Sequence, residues 1–545
     1  MPRGRTIAIT SVAVVLVAAA GAGGAYYLLR TQGTPQQTAE RFVQAWNSGD
    51  IAAMRAQLGE GAPDIAPVYE RLGKDLRVES SEIRLDGVTT VGDDRARARY
   101  SATLTLGDAG KWTYQGSIDL KVEDRRWKVD WSPKAVHPAL DGSNRLALKT
   151  TWPDRAAITD RDGRRIDGGD VGGSIQQLVG YVDKADAKDA ERLGPPYKKG
   201  DPVGKAGLQA TFQKQLAGTP TTEIQVVGAD GKAVKTLDKL KGSEGKPVRT
   251  TLDLSVQAAA VEAVQGLDKP TSIVAIRPST GEILSVVNNR GGFNRALDGN
   301  YPPGSTFKTV TAAALLNEGV SPGDRVTCPK NAVVGGLKIR NSDNAAFGAV
   351  SFTESFARSC NTTFAPLAAR HLDARKLREA AQWFGFNQPL RIGVPAAKGN
   401  VPLATSDAEL AAESFGQARI TSSPLVMAGV AAAVADGSWR PPTLVATPDR
   451  KGEPKPLPDG VAERLRPMMA AVVTGGTAAK AGLPKGTAGK TGTAEFGTGP
   501  KLDSHAWFIG YRGDLAFAVV VEGGGGGGKV AAPIAAKFLR AYAAR

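Results

Sequence analysis

The chain has 545 residues, too many for one hydrophobic core, and with 41% apolar and 23% charged residues it has the composition of folded rather than disordered protein. Its formal net charge is +15, but Lys and Arg are interleaved with Asp and Glu, and neither a zinc-finger spacing nor a basic region running into heptads occurs. Nucleic acid is therefore not the expected partner; a basic surface facing anionic lipid or wall polymer is. The three His (His137, His371, His505) and two Cys form no cluster with metal-ligand spacing, so no metal or other cofactor is expected.

The N-terminus is short and basic, with Arg3 and Arg5, and no charge occurs from Ile7 to Leu29. Those 23 residues make a helix of about 34 Å, enough to cross a bilayer. Positive charge ahead of the span predicts an uncleaved transmembrane anchor over residues 1–30, N-terminus inside and everything after Arg30 outside. Small residues from Ala18 to Ala25 offer the competing reading of a cleaved signal peptide, for which the apolar run is long. No Cys lies near it, which excludes a lipoprotein anchor.

After a polar linker, Gln37 to Leu58 carries Ala39, Phe42, Val43 and Trp46 at helical spacing. From about Leu76 the period becomes two, in RARARYSATLTL, KWTYQGSIDLKV and RWKVDW. Helices followed by a curled antiparallel sheet predict a small α+β domain over residues 35–140, with Trp46 and Trp127 in its core. Residues 145–245 follow as a β-rich module: a strand–turn–strand at ITDRDGRRI, a loop and helix, a hairpin in IQVVGADGKAVKTL, and a linker from Lys239 to Pro247. From Val248 the pattern sharpens into a third domain, 248–545. VRTTLDL is a strand, Ser255 opens a helix, and TSIVAIRPSTGEILSVVNN is a hairpin turning at Pro278 to Gly281. A long helical middle precedes AGKTGTAEF, HAWFIGYRGD and LAFAVVVEGG, three strands, and a closing helix. The fold class is thus multidomain α+β, its last domain a central antiparallel sheet flanked by helices with a large all-helical insertion. The glycine run Gly523 to Gly528 is expected to be a flexible loop.

Three short segments carry chemistry. In PPGSTFKTV, a Pro-Pro-Gly break is followed by an apolar helical run, so Ser305 and Lys308 project from one face of the first turn. This suits a Ser nucleophile with a Lys base, beside helix N-terminal N–H groups that favour an oxyanion. Lys308 must be neutral to act, so burial or a nearby cation should depress its pKa. Ser359 and Asn361, two apart in SCN, can relay a proton and hold a substrate amide. In GKTGT, Lys490 and Thr491 can bind a carboxylate, Gly492 lets a substrate backbone approach, and the Thr493 N–H can complete an oxyanion hole with that of Ser305. S-x-x-K alone is weak: Ser243–Lys246 also fits, but in a Gly/Lys linker with no helix to align it. Ser342-Asp343-Asn344 is a rival for the second motif, in a polar, loop-like stretch. The pair Cys328 and Cys360 is free or bonded; sequence does not give their separation.

The three motifs together, in this order and on these elements, resemble the penicillin-binding proteins. The resemblance rests on PPGSTFKTVTAAALLNEG, SCNTTFAPLA, SFGQARITSSPLVMA and AGKTGTAEF, and covers residues 248–545 most strongly. The upstream order of anchor, dimerisation-type module and catalytic domain, with no glycosyltransferase region, resembles class B members. FVQAWNSGD together with the later VDWSP and VHP segments resembles the cone-like N-terminal domain of the methicillin-resistance (MecA) type. This resemblance implies a serine D,D-transpeptidase. Ser305 would attack the D-Ala–D-Ala carbonyl, Lys308 would take its proton, Ser359 and Asn361 would shuttle protons and position substrate, and Lys490 and Thr491 would bind the terminal carboxylate. An amine of a neighbouring stem peptide would then resolve the acyl-enzyme. Implied partners are peptidoglycan stem peptides, β-lactams that acylate Ser305, and wall-synthesis machinery including a glycosyltransferase. A D,D-carboxypeptidase, a β-lactamase or a wall-assembly scaffold or penicillin sensor are the alternatives; for the lactamase, no confident equivalent of its deacylating Glu is found, and Glu413 fits the transpeptidase pattern. The N-terminal domain is expected to be a spacer.

Overall fold

The computed structural model describes residues 30–168, 172–445, 453–497 and 502–545. The anchor expected at Ile7 to Leu29 lies outside the described residues; among those described, no helix is long and apolar enough to cross a membrane. The chain forms two compact units.

The first unit comprises residues 30–155, 185–201 and 217–245. Its first helix, α1 (Pro35–Ser48), begins with Thr34 accepting a hydrogen bond from the Gln37 N–H and ends at Gly49 in the left-handed conformation. The single helix expected from Gln37 to Leu58 is therefore two: Asp50 caps a fresh start, α2 (Ile51–Ala56). After α3 (Ala66–Leu76) comes an antiparallel meander, β1 (Ser80–Thr90), β2 (Arg95–Thr105), β3 (Lys111–Glu123) and β4 (Arg126–Val129), paired in that order. β2 alternates exposed and buried residues, as RARARY requires of a sheet with one wet face. Phe42, Trp46, Tyr100 and Trp127 lie in the core, Trp46 meeting Tyr69 and Tyr100 edge-on at 5.3 and 5.4 Å. A second sheet orders β5 (Arg145–Thr151) beside β6 (Thr221–Val227), which pairs in turn with β7 (Ala233–Leu240).

The second unit comprises 156–184, 202–216 and 246–545. Residues 145–245 thus contribute segments to both units. VRTTLDL pairs as a strand only over Val248–Arg249, against Ile158 and Thr159, with one further bridge at Thr250. Helix α4 (Leu254–Val264) leads into β8 (Thr271–Ile276) and β9 (Ile283–Asn288). Near the C-terminus come β10 (Ala488–Phe496), β11 (Asp503–Arg512) and β12 (Leu515–Val521), then the last helix, Ala531–Ala543. The five strands form one antiparallel sheet in the order β9-β8-β12-β11-β10, so β10 is an edge. Every residue of β8, β9 and β12 is buried, which explains their unbroken apolar runs: α4, the last helix and Pro424–Asp436 pack on the sheet.

Between β9 and β10 the chain is mostly helical, including α5 (Lys308–Asn317), α6 (Phe352–Arg358) and α7 (Asn361–His371). It is not all helical, as expected from the sequence. Arg325–Cys328 pairs with Gly348–Ser351, and Asn331–Val334 with Leu337–Arg340 through a turn at Gly335 and Gly336, both at positive φ. These strands are four residues long, too short for a period-two pattern to stand out. The glycine run is also corrected: a Cβ on Gly527 would sit 2.3 Å from the carbonyl oxygens of Gly492 and Trp507. Close backbone approach, not flexibility, requires glycine there.

Candidate active site

Ser305 sits in the tight turn Gly304–Phe307 that opens into α5. Three backbones meet at this turn. Gly304, at φ +52, donates its N–H to the Gly416 carbonyl at 3.0 Å, and a Cβ on Gly304 would lie 2.7 Å from the Thr493 oxygen. Gly416, at φ +74, is closer still: its Cβ would lie 2.1 Å from the Gly304 oxygen. These contacts press the Ser305 turn against β10.

The three motifs converge. Lys308 Nζ donates to Ser305 Oγ at 3.2 Å, to the Ser359 carbonyl at 2.7 Å, to Ser359 Oγ at 3.3 Å and to Asn361 Oδ1 at 2.6 Å. From the other side Lys490 Nζ donates to Ser359 Oγ at 2.8 Å and to the Thr491 carbonyl at 3.1 Å. The Ser359 hydroxyl thus stands between two lysine side chains. Thr491 Oγ1 lies 2.6 Å from Thr477 Oγ1, and the Gly527 N–H donates to Thr493 Oγ1 at 3.4 Å. Gly492 is closed in by Thr306 and Pro303, so a side chain there would push the Ser305 turn off the strand.

Electrostatics follow from burial. Lys308 and Lys490 are both fully buried, and taking an ammonium out of water favours its neutral form. Burial, aided by the charge of Lys490, holds Lys308 well below its ordinary range. Burial alone brings Lys490 to about 7. Below about 7 Lys490 carries its charge, and the depression of Lys308 favours its neutral amine against Ser305.

Ser359 ends α6 in the left-handed region, φ 61, which costs a non-glycine residue free energy. Its neighbour Cys360 is bonded to Cys328, with Cα atoms 6.0 Å apart. The second motif is thus covalently tied to the strand Arg325–Cys328 at the residue between its two functional side chains. Both sulfurs are buried.

The two decoys fall elsewhere. Ser243 pairs with Thr219, Oγ to Oγ1 at 2.9 Å. Ser342, Asp343 and Asn344 are exposed, and Asp343 and Asn344 have positive φ. Thr477, Gly416 and Gly527 are not among the site residues expected from sequence: each acts through a contact distant in the chain, although Gly416 lies in the SFGQARI segment and Gly527 in the glycine run. Glu413, in the helix Asp407–Glu413, is 1% exposed, and burial, reinforced by the charge of Glu409, pushes its carboxyl up to about 7.

Three family models match the chain: an NTF2-like N-terminal transpeptidase domain at residues 34–144, a penicillin-binding protein dimerisation domain at 170–250, and the penicillin-binding protein transpeptidase domain at 271–540. The peptidoglycan D,D-transpeptidase PbpA of Mycolicibacterium smegmatis is 34% identical over 332 residues, 51% of this chain and 67% of that protein. Among solved structures, PBP2 of Pseudomonas aeruginosa in complex with WCK 5153 superposes with a TM-score of 0.62 at 28% identity, over 72% of this chain and 96% of that one. Penicillin-binding protein A of Mycobacterium tuberculosis, solved as a ceftriaxone acyl-enzyme, gives 0.51 at 30% identity, over 55% of this chain and 81% of that one. A serine pair bridged by Lys308 beside an edge strand, the three matched domains and these relatives agree: the chain belongs to the class B penicillin-binding proteins and is a peptidoglycan D,D-transpeptidase.

Proposed function

We propose that Ser305 is the acylated nucleophile and that Lys308, Ser359, Asn361, Lys490, Thr491, Gly492 and Thr493 serve it in the roles that follow. The observation that carries this reading is the four-way hydrogen bonding of one buried lysine, Lys308, to Ser305, Ser359 and Asn361. The terminal carboxylate of a stem peptide lies against the hydroxyl of Thr491, attracted by the charge of Lys490 buried on the other face of the strand, and the scissile carbonyl points at the N–H groups of Ser305 and Thr493. Ser305 Oγ attacks that carbonyl while its proton passes to the neutral amine of Lys308. The oxyanion is held by the two N–H groups beside the positive end of the α5 turn. As the C–N bond breaks, the departing D-Ala nitrogen takes a proton through Ser359, which Lys308 and Lys490 flank. Asn361 holds Lys308 in place and offers its amide to the substrate. In the second half, an acceptor amine attacks the ester carbonyl, gives its proton back through Lys308, and Ser305 leaves as the free hydroxyl. β-Lactams enter the first half and stop there, as in the ceftriaxone acyl-enzyme of the tuberculosis relative.

The domain limits we infer are 35–140 for the N-terminal domain, 145–245 for the dimerisation-type module and 248–545 for the transpeptidase domain. Residues 1–30 anchor the chain in the cytoplasmic membrane with the catalytic domain outside, which the uncharged run from Ile7 to Leu29 supports. The N-terminal domain is a spacer that lifts the site toward the wall, and the wall-synthesis machinery, including a glycosyltransferase that supplies strands, is the partner. The test of the chemistry is release of D-Ala from a pentapeptide donor by full-length protein, with and without an acceptor amine. Transfer product from the wild type and neither product nor D-Ala from Ser305→Ala is expected; equal D-Ala release from Ser305→Ala would overturn the assignment.

A further inference from the structure

The uncharged run ends at Leu29, and Gln32 is already tied into the N-terminal domain. Its N–H donates to the Arg125 carbonyl at 2.6 Å, and its backbone bridges Arg126 in the parallel sense. Arg125 lies in the two-residue turn Asp124-Arg125 between β3 and β4, with both residues at positive φ, 48 and 61, as a tight hairpin turn requires. Three residues of extended chain reach at most about 10 Å. One backbone hydrogen bond thus ties the β3–β4 turn to a residue within that distance of the last apolar position. The headgroup layer of a bilayer is about 5–7 Å deep on each side, and long arginine side chains can reach back into it.

The same turn walls a groove of about 450 Å3 beside Gln32, with Arg125, Arg126, Glu60 and Lys128 in its lining. Arg125 and Arg126 are exposed, as is Arg30 just before the groove. Among the described residues, none of these three guanidiniums has a hydrogen-bond or ion-pair partner. Lys128 Nζ donates to the Ala56 carbonyl at 3.1 Å. Of the acids nearby, Glu123 is engaged: one oxygen accepts from the Glu60 N–H at 3.0 Å and the other lies 3.7 Å from Lys121 Nζ. Glu60 and Asp124 remain against Arg30, Arg125, Arg126 and Lys128, an excess of positive charge at the end of the domain where the chain leaves the apolar run.

We propose that this basal groove binds the phosphate of an anionic phospholipid headgroup in the outer leaflet, with Arg125 and Arg126 as the donors, and so fixes how the N-terminal domain stands on the bilayer. The proposal rests on the anchor proposed over residues 1–30. A planar guanidinium fork matches two phosphate oxygens. Tethering the groove to the apolar run keeps the headgroups at high local concentration, so a contact weak in solution is occupied at the membrane.

The experiment places full-length protein in nanodiscs of phosphatidylcholine alone or with 30% phosphatidylglycerol, and follows amide hydrogen exchange of the peptide covering residues 121–128. Exchange in β2 reports that the domain stays folded. A bound headgroup slows local opening by mass action, and each arginine near an anionic surface contributes on the order of five-fold. In the wild type, phosphatidylglycerol should therefore slow exchange of this peptide at least about five-fold. Arg125→Ser/Arg126→Ser should abolish the difference, and Arg84→Ser/Arg99→Ser, an equal loss of charge elsewhere on the sheet, should leave it intact. Inorganic phosphate added to phosphatidylcholine nanodiscs should not reproduce it. Equal exchange of the wild type in the two lipids, equal loss of protection in both double variants, or full protection by inorganic phosphate overturns the headgroup site. Failure of the full-length chain to enter nanodiscs would instead remove the anchor on which the site stands.

Discussion

Removing the disulfide tests how the fold poises the second motif. Replacing Cys328 and Cys360 with Ala opens a loop whose ends are 32 residues apart, and the chain-entropy model puts the loss at roughly 4 kcal/mol. That is a large share of the 5–15 kcal/mol by which domains are ordinarily stable. The effect reaches the chemistry because Ser359, one residue from Cys360, is held at φ 61, a conformation that costs roughly 1–2 kcal/mol and reverts when its tether goes. Any relaxation there withdraws the Ser359 carbonyl and Asn361 Oδ1 from Lys308, which now receive it at 2.7 and 2.6 Å. The assay is fluorescent-penicillin labelling of full-length protein after equilibration in increasing urea, with the labelling rate measured without urea. The double variant should lose labelling at clearly lower urea, and its labelling rate in buffer should fall about ten-fold, equivalent to about 1.4 kcal/mol in the barrier. Reduced wild type should behave as the variant does. A variant with the urea midpoint and the rate of the oxidised wild type would refute the reasoning.

Acylation should follow a bell-shaped pH profile: the acid limb is protonation of Lys308, held well below its ordinary range, and the alkaline limb begins near 7, where Lys490 loses the charge that binds carboxylate. Lys490→Met should slow acylation and remove the alkaline limb. Gly416→Ala must place a methyl 2.1 Å from the Gly304 oxygen at φ +74, so penicillin acylation should fall at least about ten-fold with a loss of about 3 kcal/mol in stability. Gly49→Ala, also at positive φ but with nothing within 4 Å, should leave the acylation rate unchanged. Glu413 is raised to about 7 in the fold; the folded state thus holds a proton that the unfolded chain has released, and stability falls as pH rises from about 4.5 to 7. Glu413→Gln should be more stable than wild type at pH 8, by up to about 3 kcal/mol, and not at pH 5, as read from thermal melts.

The local geometry of the three motifs is legible in sequence because each fixes its own turn, helix or strand. Pro-Pro-Gly before an apolar run forces a turn and a helix, which is enough to align Ser305 with Lys308. Alternation along GKTGT is enough to put Lys490 and Thr491 on opposite faces. What the sequence withheld is what distant segments do to one another. Thr477 matters only because it meets Thr491 at 2.6 Å, and Gly416 only because the Gly304 carbonyl lies over it. The glycine run from Gly523 to Gly528 reads as slack in sequence because composition cannot distinguish freedom from crowding. The short strands of the insertion were missed for another reason: four residues carry too little period to outweigh a helical neighbourhood. Sequence leaves the pairing of Cys328 with Cys360 open because it does not give the Cα separation, which is 6.0 Å in the fold. The core aromatics of the N-terminal domain, Trp46 and Trp127, were read correctly, since large apolar rings at helical or alternating spacing are buried far more often than not.

Peptide mapping after labelling with a fluorescent penicillin tests the nucleophile most directly. The adduct should lie on the peptide containing Ser305, should be absent from Ser305→Ala, and should form slowly in Lys308→Met although that variant is folded. Label on another residue, or undiminished label on Ser305→Ala, would contradict it.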